Sequence, residues 1–177
     1  MKEKLILDIL KMTGKAQFSH KNWVHLLNPR LSPVLLYRIS HQLYLWNFKI
    51  LSKIMAICNT ILFGCDIARA AKIEGGFYLP HPNGVVIGAH SMIGKNCIIH
   101  QGVTLGARGE EHELANPKLG HSIEIGTGAK ILGGITLGNY SRVGANAVLL
   151  IDLPIGGIAV GLPAKIIGIR KDIQDLE

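Results

Sequence analysis

From Ile87 to Ile155 the chain counts in sixes. An aliphatic residue leads each block at Ile87, Ile93, Ile99 and Leu105, and again at Leu119, Ile125, Ile131, Leu137, Val143, Leu149 and Ile155. Glycine follows it at positions 88, 94, 106, 120, 126, 138, 144 and 156. A small or β-branched residue recurs four places after it, as at Ser91, Cys97, Val103, Ala129, Ser141 and Ala147. Neither a helix of period 3.6 nor a strand of period 2 calls for such spacing. A parallel β-helix does, because each block supplies one short strand and one turn. The aliphatic residue then points into the prism, and glycine relieves the turn where a Cβ would be strained.

The repeat has edges and interruptions that divide the chain. Earlier, imperfect rungs fall at Ile67, Ile73 and Leu79, and two extra residues near Pro82–Val86 shift the phase before Ile87. Residues 107–118 are polar and irregular, and the count resumes cleanly at Leu119, which reads as a loop thrown out of a continuous coil. Loops on rigid scaffolds are where ligand contacts concentrate. Residues 1–63 lack the repeat and read as helical: Leu5, Ile6, Ile9 and Leu10 mark one amphipathic segment. Ser32-Pro33 opens a second helical stretch that runs toward Gly64, a fitting terminator. The division is therefore a helical segment at 1–63, a β-helix at 64–168 and a tail at 169–177.

Charge follows the same division. Residues 1–63 hold nine Lys and Arg against Glu3 and Asp8, whereas residues 64–177 hold ten of each sign. The basic segment reads as a solvated face over an apolar packing face, with membrane-surface contact not favoured. No aromatic platform or motif accompanies the charge, so nucleic-acid binding is not expected. The stretch from Leu43 to Phe63 is interrupted by Asn47, Lys49, Ser52, Lys53 and Asn59 and falls short of a membrane span. No signal peptide is evident. Cys58, Cys65 and Cys97 lack metal-like spacing and read as reduced thiols of a cytoplasmic protein.

Residues 64–170 resemble the left-handed β-helix acyltransferases built from hexapeptide repeats, and most closely the serine O-acetyltransferases. The match is carried by Asp66-Ile67, Ala70-Ala71-Lys72-Ile73, His81, Gly84-Val85-Val86-Ile87-Gly88, Gln101, Val103-Thr104-Leu105-Gly106, Pro117-Lys118, Gly128-Ala129-Lys130-Ile131 and Pro163-Ala164. Tyr37-Arg38-Ile39-Ser40-His41 resembles the last helices before that family's β-helix. The resemblance implies acetyl-CoA as co-substrate and no metal. It assigns His81 as the base that deprotonates an acceptor hydroxyl and Asp66 as the residue that orients it. Imidazole titrates in the range this task needs. It also implies a homotrimer or dimer of trimers with acetyl-CoA between subunits, and cofactor contacts at Gly106, Ala107, Thr127 and Ala145; Lys165 is a further candidate, for a cofactor phosphate.

The acceptor side departs from the family. Pro80 stands where the serine enzymes carry an Asp, and Ala115-Asn116 stand where they carry an Arg-His pair. Pro80 and Asn116 are thus acceptor-site positions without charge, and a carboxylate loses its most specific contact there. The expectation is acetyl transfer to the hydroxyl of L-serine. A sugar hydroxyl in capsule, exopolysaccharide or lipopolysaccharide synthesis is the alternative, and a non-catalytic trimeric scaffold the rival from another class. His20, His25, His41, His90 and His121 read as structural; His100 and His112 stay open between cleft and surface. The C-terminal Asp175-Leu176-Glu177 lacks the terminal Ile that docks such enzymes into a partner sulfhydrylase, so no such complex is expected.

Overall fold

Strands in the body of the prism are two or three residues long because each occupies one wall of a triangular coil; the closing hairpin has longer ones. The structure is a computed structural model and describes residues 1–109 and 114–170. The first coil holds β1 (Asp66–Ile67) and β2 (Lys72–Ile73), and the second β3 (Val86–Ile87), β4 (Met92–Ile93) and β5 (Ile98–Ile99). The third holds β6 (Thr104–Gly106), β7 (Lys118–Leu119) and β8 (Glu124–Ile125), and the fourth β9 (Lys130–Leu132), β10 (Thr136–Leu137) and β11 (Arg142–Val143). β12 (Val148–Leu149) and β13 (Gly157–Gly161) follow, and β14 (Ala164–Ile169) turns back antiparallel on β13.

Stacking the coils makes three parallel walls: β1-β3-β6-β9-β12, β10-β7-β4-β2, and a third in which β5, β8, β11 and β13 are parallel and β14 closes the end. Register follows the repeat. Ile87 lies over Leu105 and Ile131 over Leu149, eighteen positions on each time. Ile67 lies over Ile87, twenty positions on, which places the phase shift inside the first coil as expected. The lead residues Ile87, Ile99, Leu105, Ile125, Ile131 and Leu149 are at most 1% exposed and form the prism's apolar centre.

Two details differ from the sequence reading. Ile155 is 54% exposed, and Leu153, buried and bridged to Leu137, takes the inward slot of the last coil. Pro154 and the left-handed Gly156 re-phase the chain there so that the closing hairpin can form. Most of the post-aliphatic glycines also serve a different purpose from the one expected. Gly126 has no left-handed φ; a Cβ on it would sit 2.7 Å from the backbone nitrogen of Ala145 in the next coil. Close stacking of coils, not turn conformation, excludes side chains at that slot. The positive φ angles fall two residues later, at Asn96, Ser122, Tyr140 and Asn146.

Residues before the prism form α1 (Lys2–Thr13), a 3-10 turn at His20–Leu27, α2 (Ser32–Leu45) and α3 (Lys49–Phe63). The stretch from Ser32 to Gly64 is two helices, broken at Asn47 with φ 64°, and Gly64 ends α3 in the left-handed conformation as expected. Arg38 is not a solvated cation. It is 3% exposed, and its guanidinium grips the fully buried Asp8 with two bonds of 3.1 Å while donating to the carbonyls of Ile73 and Glu74. Burial pushes the Asp8 carboxyl above its usual range, against the pull of Arg38 and the backbone N–H of Phe77. One ion pair thereby fastens α1 and α2 to the first coil.

The helical pair α2–α3 overturns the expected orientation. Its contact is polar: Ser40 and Ser52 each donate to the other's carbonyl oxygen at 2.8 Å, and Asn59 donates to the carbonyl of Pro33. The apolar face of α3 points outward instead, with Ile50 79% and Ile61 76% exposed. Small polar side chains allow the two backbones a close, hydrogen-bonded approach that branched side chains would prevent.

Candidate active site

His81 and Asp66 share one corner of the prism. Asp66 opens β1, and its N–H donates to the carbonyl of Val85. Two residues ahead of β1, Gly64 accepts from the N–H of Gly84 at 2.7 Å. The corner that carries His81 is therefore tied to the start of β1. Both side chains are exposed, and no hydrogen bond joins them. Catalytic contacts often tighten only around bound substrates.

That corner begins a ladder along one edge. Gly102 N–H donates to the carbonyl of Asn83, Gly128 N–H to Gln101 and Asn146 N–H to Thr127. Thr127 and Ala145 are consequently consecutive rungs of the edge headed by His81. Lys165 sits at its far end: it pairs with Val160, whose side chain lies against Gly144. An extended arm laid along this edge would pass Thr127 and Ala145 and reach Lys165, over small residues that let it approach the backbone.

Gly106, Ala107 and Asn116 lie on the other edge of the β1-β3-β6-β9-β12 wall. They line a cleft of about 260 Å³ together with Gly88 and His90. Asn116 is buried, and Ser91 Oγ lies 3.4 Å from its Oδ1. Gly88 leaves the space that the Asn116 amide fills, because a Cβ there would collide with Oδ1. Across the wall the two edges are separated by a full strand and its flanks, about six extended residues or ~20 Å. One chain thus brings His81, Asp66, Pro80, Thr127 and Ala145 to one edge and holds Gly106, Ala107 and Asn116 on the other.

The remaining candidates sort by partner. His41 Nδ1 lies 2.7 Å from the carbonyl oxygen of Arg69, and Tyr37 Oη donates to that of Ala71 at 2.7 Å, so this motif seats α2 on the first coil. His121 accepts from the N–H of Lys95, and His100 lies 3.4 Å from Glu124. His112 lies outside the described residues. Among the described residues no three His, Cys, Asp or Glu side chains gather as a metal site. The sequence reading missed Ser91 as the partner of Asn116, and the Asp8–Arg38 pair, whose members stand 30 positions apart with no local signal.

Curated relatives and solved structures agree on one family. The chain is 41% identical over 144 residues to the serine acetyltransferase of Helicobacter pylori J99, covering 81% of this chain and 84% of that one. The chain belongs to the serine acetyltransferase family. It is 43% identical over 137 residues to the Haemophilus influenzae enzyme, of which it spans about half (51%). Among solved structures, the Neisseria gonorrhoeae serine acetyltransferase superposes with a TM-score of 0.88 at 31% identity, over 99% of this chain and 70% of that one. The Brucella abortus enzyme in complex with coenzyme A superposes at 0.87 and 30% identity, over 95% and 68%. No family model matches. The prism is accordingly a left-handed β-helix preceded by helices, as the repeat and its resemblance implied.

Proposed function

We propose that this protein transfers the acetyl group of acetyl-CoA to the hydroxyl of L-serine. The observation that carries the reading is the corner itself. His81 stands on a turn tied by backbone hydrogen bonds to Asp66, at the head of an edge lined by Thr127 and Ala145, in a chain of the serine acetyltransferase family. His81 takes the hydroxyl proton as the oxygen attacks the thioester carbonyl. Backbone N–H groups stabilise the oxyanion, and the departing coenzyme A thiolate receives the proton from the imidazolium. Asp66 orients the ring, and Lys165 reaches a cofactor phosphate. The division of labour follows the chain: residues 64–168 carry the chemistry with loop 107–118, and residues 1–63 brace the first coil. Cys58, Cys65 and Cys97 are free thiols, which suits a reducing cytoplasm as the place of the reaction.

Because the two edges of one wall lie apart, the full set of cofactor positions needs a second copy. A homotrimer that sets the Gly106–Asn116 edge of one subunit against the His81–Ala145 edge of the next supplies it, and two such trimers can pair.

Pro80 and the neutral, buried Asn116 favour a second reading, in which the acceptor is a sugar hydroxyl. Thiol release from acetyl-CoA by wild type and His81→Ala, with serine and with a panel of nucleotide sugars, separates the readings. The expected result is turnover on serine that falls about 10²–10⁴-fold in the variant while acetyl-CoA binding is kept. Turnover on a sugar alone moves the acceptor and leaves His81 in place; undiminished turnover in His81→Ala removes the mechanism.

A further inference from the structure

We propose that the α2–α3 hairpin docks this protein on an anionic lipid surface, with α3 lying in the plane of the headgroups. The first observation is that the hairpin is built inside out. Its buried contact is made by Ser40, Ser52 and Asn59, all hydrogen-bonded to backbone across the helix pair. Its outward stripe is Ile50, Ile54, Ile57 and Ile61, between 45% and 79% exposed. Helices that face water bury the branched aliphatics and expose the serines. Small polar residues between helices and aliphatics outside is the arrangement that suits hydrocarbon.

The second observation is charge. No Asp or Glu occurs between Asp8 and Asp66. Lys49 and Lys53 are exposed, and helical spacing sets them on one flank of the isoleucine stripe, where their stems can follow the apolar surface while the ammonium groups reach phosphates. At the helix break, Trp46 is 63% and Phe48 59% exposed, beside an apolar groove of about 600 Å³. Aromatic residues at a helix end beside lysines suit the headgroup boundary. α3 has 15 residues, about 22 Å long, and no described helix is long and apolar enough to cross a membrane. It lies on the surface and does not span it.

The hairpin carries no carboxylate of its own to neutralise Lys49 and Lys53. An anionic headgroup layer supplies the missing sign. The sequence alone disfavoured membrane contact because it set the apolar residues inward, and the structure reverses that placement.

The test is co-sedimentation of the full chain with phosphatidylcholine vesicles, with and without roughly one third phosphatidylglycerol. The expected result is binding to the anionic vesicles that weakens with salt. It falls on the order of tenfold or more in Lys49→Glu/Lys53→Glu, and falls also in Trp46→Ser/Ile50→Ser. All four side chains are exposed, and circular dichroism checks that the variants fold. No binding to either vesicle, or equal binding to both, overturns the proposal. So does loss of self-association in Trp46→Ser/Ile50→Ser without vesicle binding by wild type, which would give the face to a second copy. Serine turnover is measured separately, so a failed docking result leaves the acetyl-transfer reading standing.

Discussion

The prism and the helical hairpin use isoleucine in opposite ways. Ile87, Ile99, Ile125 and Ile131 are at most 1% exposed, whereas Ile50 and Ile61 exceed 75%. In the prism, three walls enclose a single interior and alternate residues can point only in or out, so the period assigns the side. A helix has no interior of its own, and its apolar stripe goes wherever a partner lies. Here α2 meets α3 through Ser40, Ser52 and Asn59, so the stripe is left outside. Periodicity fixes spacing in both regions but fixes direction only in the closed one.

The largest test falls on the joint between the two regions. Arg38→Ala leaves the Asp8 carboxylate buried without its cation and should destabilise the fold by about 3–5 kcal/mol, read from urea denaturation. Replacing both partners by apolar residues, Asp8→Leu with Arg38→Met, should recover much of that loss. If Arg38→Ala is mild, the hairpin is not fastened to the prism by this pair.

Within the prism, Ile131→Ala removes a fully buried side chain and should cost about 2–5 kcal/mol. The alkaline limb of stability belongs to the same packed zones. Burial pushes the Cys65 thiol from 9.0 to about 12, Cys97 to about 11 and the Tyr37 phenol from 10.0 to about 12. The folded state keeps these protons while the unfolded chain releases them, so their contribution is full below pH 9 and declines as pH rises from 9 toward 12. Melting temperatures taken from pH 7 to pH 10.5 should fall at the upper end, and native protein at pH 8 should show only Cys58 reacting with a thiol reagent. The smallest effect is expected at Ile57→Ser on the hairpin's outer stripe, within about 0.5 kcal/mol. A loss comparable to that of Ile131→Ala would mean the stripe is covered, and the contrast between the regions would fail.

The candidate site was legible where stacking follows the count. His81, Asp66, Thr127 and Ala145 stand at repeat positions, and the coil ladder carries them to one edge. Asn116 was legible as a position but not as a buried group anchored by Ser91, because that contact crosses 25 residues and an interrupting loop. The last coil misled for a local reason. Ile155 keeps the count, yet Pro154 and Gly156 turn the backbone and Leu153 goes inward instead.

The sequence by itself determined the walls, the period and the corner shared by His81 and Asp66, because each depends on neighbours about one coil away. Tertiary structure alone decided the Asp8–Arg38 joint, the division of cofactor positions between two edges and the outward face of α3. Those depend on which surfaces touch across long separations, and burial, unlike spacing, is not a property of a residue's place in a repeat.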